Sequence, residues 1–305
     1  MTQRKRQPLP LYRSLRNPDT DIISLAKNGS VINMKSYYPA IASAVPFNVQ
    51  IASDIYWKGD QDHYTFKEVG PLRVPFPLTW MEWEIPKVIR VNKKIVKDTS
   101  LTGIRCGILL SEKPLLKTET PYGAFDSMLF THHPKTGMTG VWPHIMRFIT
   151  DDEDLYVKHA FIYSPDMDKG IAEQLGQSYA MLCVPMIIAL GLINCRNVKS
   201  APAGELVIPR PRQANHRRKD RNVSSQRVVY HTIVLPGGVE YGTAHSPHDR
   251  LSTGEVAVHR VRGHFKHYTK AAPLFGKETG RYWWGWQVRG NPAAGEVHSE
   301  YELRK

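Results

Sequence analysis

Arg260, Arg262, His264, Lys266 and Tyr268 fall at every second position of the stretch VAVHRVRGHFKHYT (256–269). Arg281, Trp283, Gln287 and Arg289 repeat that spacing in RYWWGWQVRG (281–290). Side chains two apart on a strand point the same way, so this alternation gathers cations on one face of each stretch. A guanidinium binds a phosphate through two parallel hydrogen bonds, and an aromatic ring stacks a base for about 1–3 kcal/mol. Paired antiparallel, the two stretches are expected to form a hairpin whose wet face carries Arg260, Arg262, His264, Lys266, Arg281, Trp283, Gln287 and Arg289. Tyr268 lies on the first strand's basic row, and Trp284 and Trp286 face a core. The plainer reading is an amphipathic hairpin with a solvated face.

The same residues admit one kind of catalysis. Metal-independent RNA cleavage needs a base for the 2′-OH, an acid for the leaving oxygen and cations for the phosphorane charge. His264, Lys266, His267, Tyr268 and Arg289 are of those types, with His264 the best candidate catalytic residue. Alternation turns His264 and His267 to opposite faces, so only His264 joins the basic row. A metal site is not expected. His132 and His133, His245 and His248, and His264 and His267 lack the CxxC or HExxH setting of zinc sites. Asp151–Asp154 has the look of a solvated acidic turn, and Asp166 and Asp168 of a helix's first turn. Motifs for dinucleotides, acyl transfer or a reactive thiol are missing, and the loop 273–280 lacks phosphate-loop spacing, so no cofactor is expected.

Charge points to the same region. Of 305 residues, 41 are Lys or Arg and 28 Asp or Glu, a formal net charge of +13. Residues 196–231 hold nine Lys/Arg (Arg217, Arg218, Lys219 and Arg221 at their centre) against Glu205 and Asp220, and residues 256–290 hold seven against Glu278. These two segments carry the whole excess. Concentrated charge builds a local potential that attracts phosphate backbones, with an affinity that falls as salt rises.

The elements that must position these groups come from hydrophobic periodicity. The fold class is α+β: a mixed or antiparallel sheet, one long buried helix and the C-terminal hairpin. Residues 1–38, broken by Pro8, Pro10 and Pro18, are expected to be an N-terminal arm. Residues 39–198 form an α+β core with strands at 47–51, 55–57, 78–85, 102–110, 124–130 and 155–163. Ser164–Asp168 offers a cap and early acidic residues for a helix over 171–193, interrupted by Pro185. Its apolar run, Met181–Ile193, is 13 residues, whereas a membrane span needs about 20, so no membrane association is expected. Residues 199–227 form an exposed basic arm, and 228–305 a β-rich region that begins with a strand at 228–235. Three cysteines and no apolar leader suggest a reduced, cytoplasmic protein.

GHFKHYT (263–269) and PLFGKETGRYWWGWQVRG (273–290), with PFPLTWMEW (75–83) and ALGLINCRNV (189–198), carry a resemblance. In these blocks, spread over most of the chain, the sequence resembles a widespread family of phage and prophage proteins. The resemblance implies a mobile-element origin and a place in the bacterial cytosol during infection, and it assigns no catalytic residue. The expected function is binding of nucleic acid, DNA or RNA, by the hairpin and the basic arm Arg210–Arg227. The alternatives are a metal-independent ribonuclease or toxin-like enzyme, and a non-enzymatic inhibitor or assembly protein that meets an acidic protein partner.

Overall fold

The computed structural model describes residues 8–17, 20–24, 31–59, 69, 72–91, 94–97, 99–113, 124–142, 145–150, 157–163, 169–209, 225–236, 257–261, 263–285, 287–289 and 291–296. It is mixed α+β, 24% helical and 45% strand, as the alternating and apolar segments predict. Two units divide the chain: Met1–Asn194 with Ser200–Ile233, and Cys195–Lys199 with Val234–Lys305.

The first unit is built on an eleven-stranded mixed sheet. Its middle is the run β3 (Val45–Asn48), β4 (Leu78–Glu84), β7 (Arg105–Lys113) and β8 (Ala124–His132), with β3 parallel to β4 and the others antiparallel. Beyond β8 lie β9 (Thr139–Val141), β1 (Asp21–Ser24) and β2 (Val31–Asn33), while β10 (Ile145–Thr150) and β11 (Val157–Tyr163) branch from β8. On the opposite flank are β13 (Ser225–Val234), parallel to β3, and β12 (Lys199–Pro209). A separate ribbon pairs β5 (Val88–Val91) with β6 (Lys94–Lys97).

LTWMEWE forms the central β4 because both faces of that strand are covered, which leaves its five inner residues buried. Trp80 and Glu82 point to one face, where α1 (Pro10–Leu15) and α2 (Tyr38–Ser43) pack, and Trp80 lies 5.8 Å from the Tyr12 ring and 5.5 Å from Phe130. Met81 and Trp83 point to the other face, as do Cys106 and Ser127 by register. There the long helix α4 (Lys169–Ile193) sets the Tyr179 hydroxyl 2.9 Å from the Ser127 carbonyl, to which it donates. The helix starts two residues before the expected Ile171, contains Pro185 and buries Leu182, Cys183 and Met186–Leu190; its expected cap, 164–168, lies outside the described residues.

Three expectations differ from the structure. Ile55–Trp57, a strand by propensity, belongs to the helix α3 (Gln50–Lys58). The Asn48 carboxamide accepts from Gln50 N at 3.0 Å to turn the chain, and Ala52, Ser53, Ile55, Tyr56 and Trp57 then bury one helical stripe. The opening segment is no surface arm where it is described: Leu9, Leu11, Tyr12 and Leu15 enter the core. Glu82 is the cause. Its carboxylate accepts from Leu11 N at 3.0 Å and Tyr12 N at 2.8 Å, two first-turn N–H groups that the helix itself leaves without partners. Trp80 Nε1 donates to it at 3.2 Å, and Arg105 stands at 3.5 Å. Burial pushes the Glu82 carboxyl up, while these N–H donors and the guanidinium pull the other way. Third, the first eleven residues of the expected exposed arm, Lys199–Pro209, form β12, where Leu206 and Ile208 are buried; residues 210–224 lie outside the described residues.

Candidate nucleic-acid interface

The second unit contains the C-terminal hairpin. β15 (His264–Tyr268) pairs antiparallel with β16 (Gly280–Trp284), opposing His264 to Trp284, Phe265 to Trp283, Lys266 to Tyr282, His267 to Arg281 and Tyr268 to Gly280. The same register continues where β14 (Ala257–Val261) meets β17 (Gln287–Arg289), with His259 opposite Arg289 and Arg260 opposite Val288. A third strand, β18 (Asn291–Glu296), runs parallel to β14. The two alternating stretches therefore form the expected antiparallel ladder.

The faces are composed differently from the expectation. Residues directly opposite each other in an antiparallel pair share a face. Lys266 therefore stands with Tyr282 and His264 with Trp284, whereas Arg281 and Trp283 lie on the reverse side with His267 and Phe265. Grouping the first strand's even positions with the second strand's odd ones requires a register one residue away, and a slip of one residue turns a whole strand over. Trp283 fixes the register. It is 2% exposed, meets the Phe265 ring edge-on at 4.8 Å and covers Gly263, where a Cβ would come within 2.6 Å of the indole. Asn197 clamps the same residue through its backbone, accepting from Trp283 N at 2.9 Å and donating to Trp283 O at 2.7 Å. Arg281, 7% exposed, is buried too, so neither residue is presented to a polymer in this arrangement.

What the hairpin does present is a smaller face. Lys266 is exposed, and His264, Tyr268, Tyr282 and Trp284 are half-buried around it. The Lys266 ammonium lies 5.0 Å from the centre of the Tyr268 ring, and Tyr268 meets Tyr282 edge-on at 5.7 Å. A nearby carboxylate is Glu278, 3.5 Å from the Tyr282 hydroxyl and 3.8 Å from Arg196. Both partners of that ion pair are more than half exposed, so solvent screens it. The sequence alone turns Trp284 toward a core and does not single out Tyr282. The signal that would have found them is cross-strand parity, which becomes readable once the pairing of Phe265 with Trp283 is known.

The other expected contacts are located only in part. Arg260 and Arg289 belong to the backbones of β14 and β17, and their side chains lie outside what is described. Arg262, Arg217, Arg218, Lys219 and Arg221 lie outside the described residues altogether. For the ribonuclease alternative, the register sets His264 and His267 on opposite faces, so one hairpin face does not assemble both as acid and base. Nor are the thiols poised as nucleophiles. Cys106, Cys183 and Cys195 are all buried, and burial pushes each thiol up, that of Cys195 to about 12. Among the described residues, no three His, Cys, Asp or Glu side chains come together as a metal site would need.

Two curated relatives share part of the sequence. A peroxynitrite isomerase of Renibacterium salmoninarum is 35% identical over 102 residues, 32% of this chain and 47% of the relative. A peroxynitrite isomerase of Paenarthrobacter aurescens is 32% identical over 103 residues, 32% of this chain and 50% of the relative. The chain thus spans about half the length of the curated relatives it matches. No family model matches the sequence, and no solved structure matches it.

Proposed function

We propose that this protein binds nucleic acid, DNA or RNA, through the face of the C-terminal hairpin that carries Lys266, His264, Tyr268, Tyr282 and Trp284. One observation carries the reading: an exposed ammonium set among aromatic side chains on a single strand face. A cation beside rings meets a phosphate and the adjoining base together. The basic tract Arg210–Arg227 adds phosphate contacts without sequence preference. The resemblance to phage and prophage proteins implies a setting in the cytoplasm of an infected bacterium. The test is a titration of fluorescently labelled single-stranded DNA and RNA with the full chain at rising salt. Binding that weakens linearly on a log–log plot is expected, and no binding at low salt contradicts the proposal.

A second reading rests on the two relatives, whose name assigns them isomerisation of peroxynitrite and of which this chain covers about half. Under it, the protein accelerates the decay of peroxynitrite in buffer. Decay at the spontaneous rate overturns this reading and leaves the first untouched.

A further inference from the structure

The tip of the hairpin carries a feature that the strand face does not explain. Leu274 and Glu278 form an isolated antiparallel bridge, with Leu274 N donating to Glu278 O at 2.7 Å and Glu278 N to Leu274 O at 2.9 Å. Lys277 N also donates to Leu274 O, at 3.1 Å, which closes a tight turn with Phe275 and Gly276 at its centre. Both have positive φ, 52° and 73°. Two positive φ angles mark the mirror-image turn in which Asn, Asp or Gly is favoured at the first position, since a Cβ there is crowded by its own backbone. Phenylalanine is a poor occupant of that position, and Phe275 is 84% exposed, the highest value for any large apolar residue among the described residues. Among the described residues Leu9 is the other non-glycine with positive φ, but Leu9 is buried and its helix is held by Glu82. Phe275 has no such packing to hold it. A side chain that strains its backbone and leaves its ring in water points to a partner outside the chain.

The surroundings favour one class of partner. Lys270 and Lys277 are exposed within the same loop, and a Cβ at Gly276 would meet nothing within 4 Å, so the approach to the tip is open. Cations beside a presented ring complement a phosphodiester with an unpaired base. We infer that Phe275 is a stacking wedge that inserts against unpaired bases of a single-stranded nucleic acid while Lys270 and Lys277 hold the adjoining phosphates. This inference rests on the proposed function and extends it from the strand face to the tip. Stacking on a ring tolerates any base, because every base offers a π-face, so the wedge adds affinity without sequence preference.

The full chain and its Phe275→Ala, Phe275→Trp and Phe275→Asn variants are titrated into a single-stranded oligonucleotide containing 2-aminopurine. Wild type and Phe275→Trp should change the 2-aminopurine fluorescence. Phe275→Ala and Phe275→Asn should lose the part of that change that the strand face does not supply, and about five- to hundredfold in affinity, the range for removing one base–aromatic stack. The slope of log affinity against log salt should stay as in wild type, because no charge is removed. Asn tolerates the positive φ, so Phe275→Asn should melt no lower than wild type, which separates lost stacking from lost folding. If both variants bind as wild type does, the wedge is overturned and the strand-face reading stands. If wild type binds no oligonucleotide, both fall. Phe275-dependent cosedimentation with phosphatidylglycerol vesicles, without any 2-aminopurine response, overturns the wedge in favour of a lipid surface.

Discussion

Replacing Glu82 by alanine should destabilise the larger unit by about 3–5 kcal/mol, the usual cost of removing one partner from a buried charge pair. That corresponds to a melting temperature roughly 10 °C lower. The carboxylate receives Leu11 N, Tyr12 N and Trp80 Nε1, and faces Arg105. Alanine strands three N–H donors in the core, where water cannot reach them, and each unsatisfied group costs about 1–3 kcal/mol. Glu82→Gln keeps the shape but turns an amide N–H₂ toward other donors, so its loss should fall between wild type and alanine. Hydrogen exchange locates the damage: in both variants the Leu11 and Tyr12 amides should lose protection before those of β4 and β7. An alanine variant within about 0.5 kcal/mol of wild type would show that Glu82 does not hold α1.

The second large effect concerns binding. Lys266→Ala combined with Tyr282→Ala should weaken single-stranded nucleic-acid binding by about thirtyfold or more, on the order of 2 kcal/mol for one phosphate contact and one stacking ring. His267→Ala is the control. His267 is exposed on the same strand but shares the reverse face with Arg281, so its removal should change affinity less than about twofold if docking uses the Lys266 face. Trp283→Ala would mislead, because deleting a buried tryptophan costs about 3–5 kcal/mol of stability and any loss of binding would report unfolding. Equal losses from His267→Ala and from the Lys266/Tyr282 pair would refute the facial assignment. A circular dichroism melt of each variant separates folding from docking.

The extent to which these features could be read from sequence follows from the range of the interactions that decide them. β4 and the helix ending at Ile193 are legible because both are long and apolar, and burial on every side leaves little else for LTWMEWE or MLCVPMIIALGLI to become. Ile55–Trp57 was not legible by propensity, since three good strand formers in succession conceal the stripe they share with Ala52 and Ser53. The docking of α1 was invisible for a different reason. A proline-broken polar segment gains its place only through a carboxylate 70 residues away along the chain. At the hairpin, the residue types and the pairing of the two stretches were readable. Which side chains share a face depends on register, and register depends on how Trp283 packs against Phe265 and over Gly263. Local alternation contains no information about that choice. Phe275 escaped notice because a lone phenylalanine in a loop is unremarkable until its φ and exposure are known.

The central claim, that a polyanion docks on the face bearing Lys266, is tested most directly by comparing salt dependence. Affinity of wild type and Lys266→Ala for one labelled single-stranded oligonucleotide is measured across a series of salt concentrations, and the two log–log slopes are compared. The slope of Lys266→Ala should be shallower by roughly 0.7, the counterion released per phosphate contact on a single strand. Slopes that coincide, with affinities that coincide at every salt concentration, would mean that Lys266 meets no phosphate and that the proposed face is not where the polymer binds.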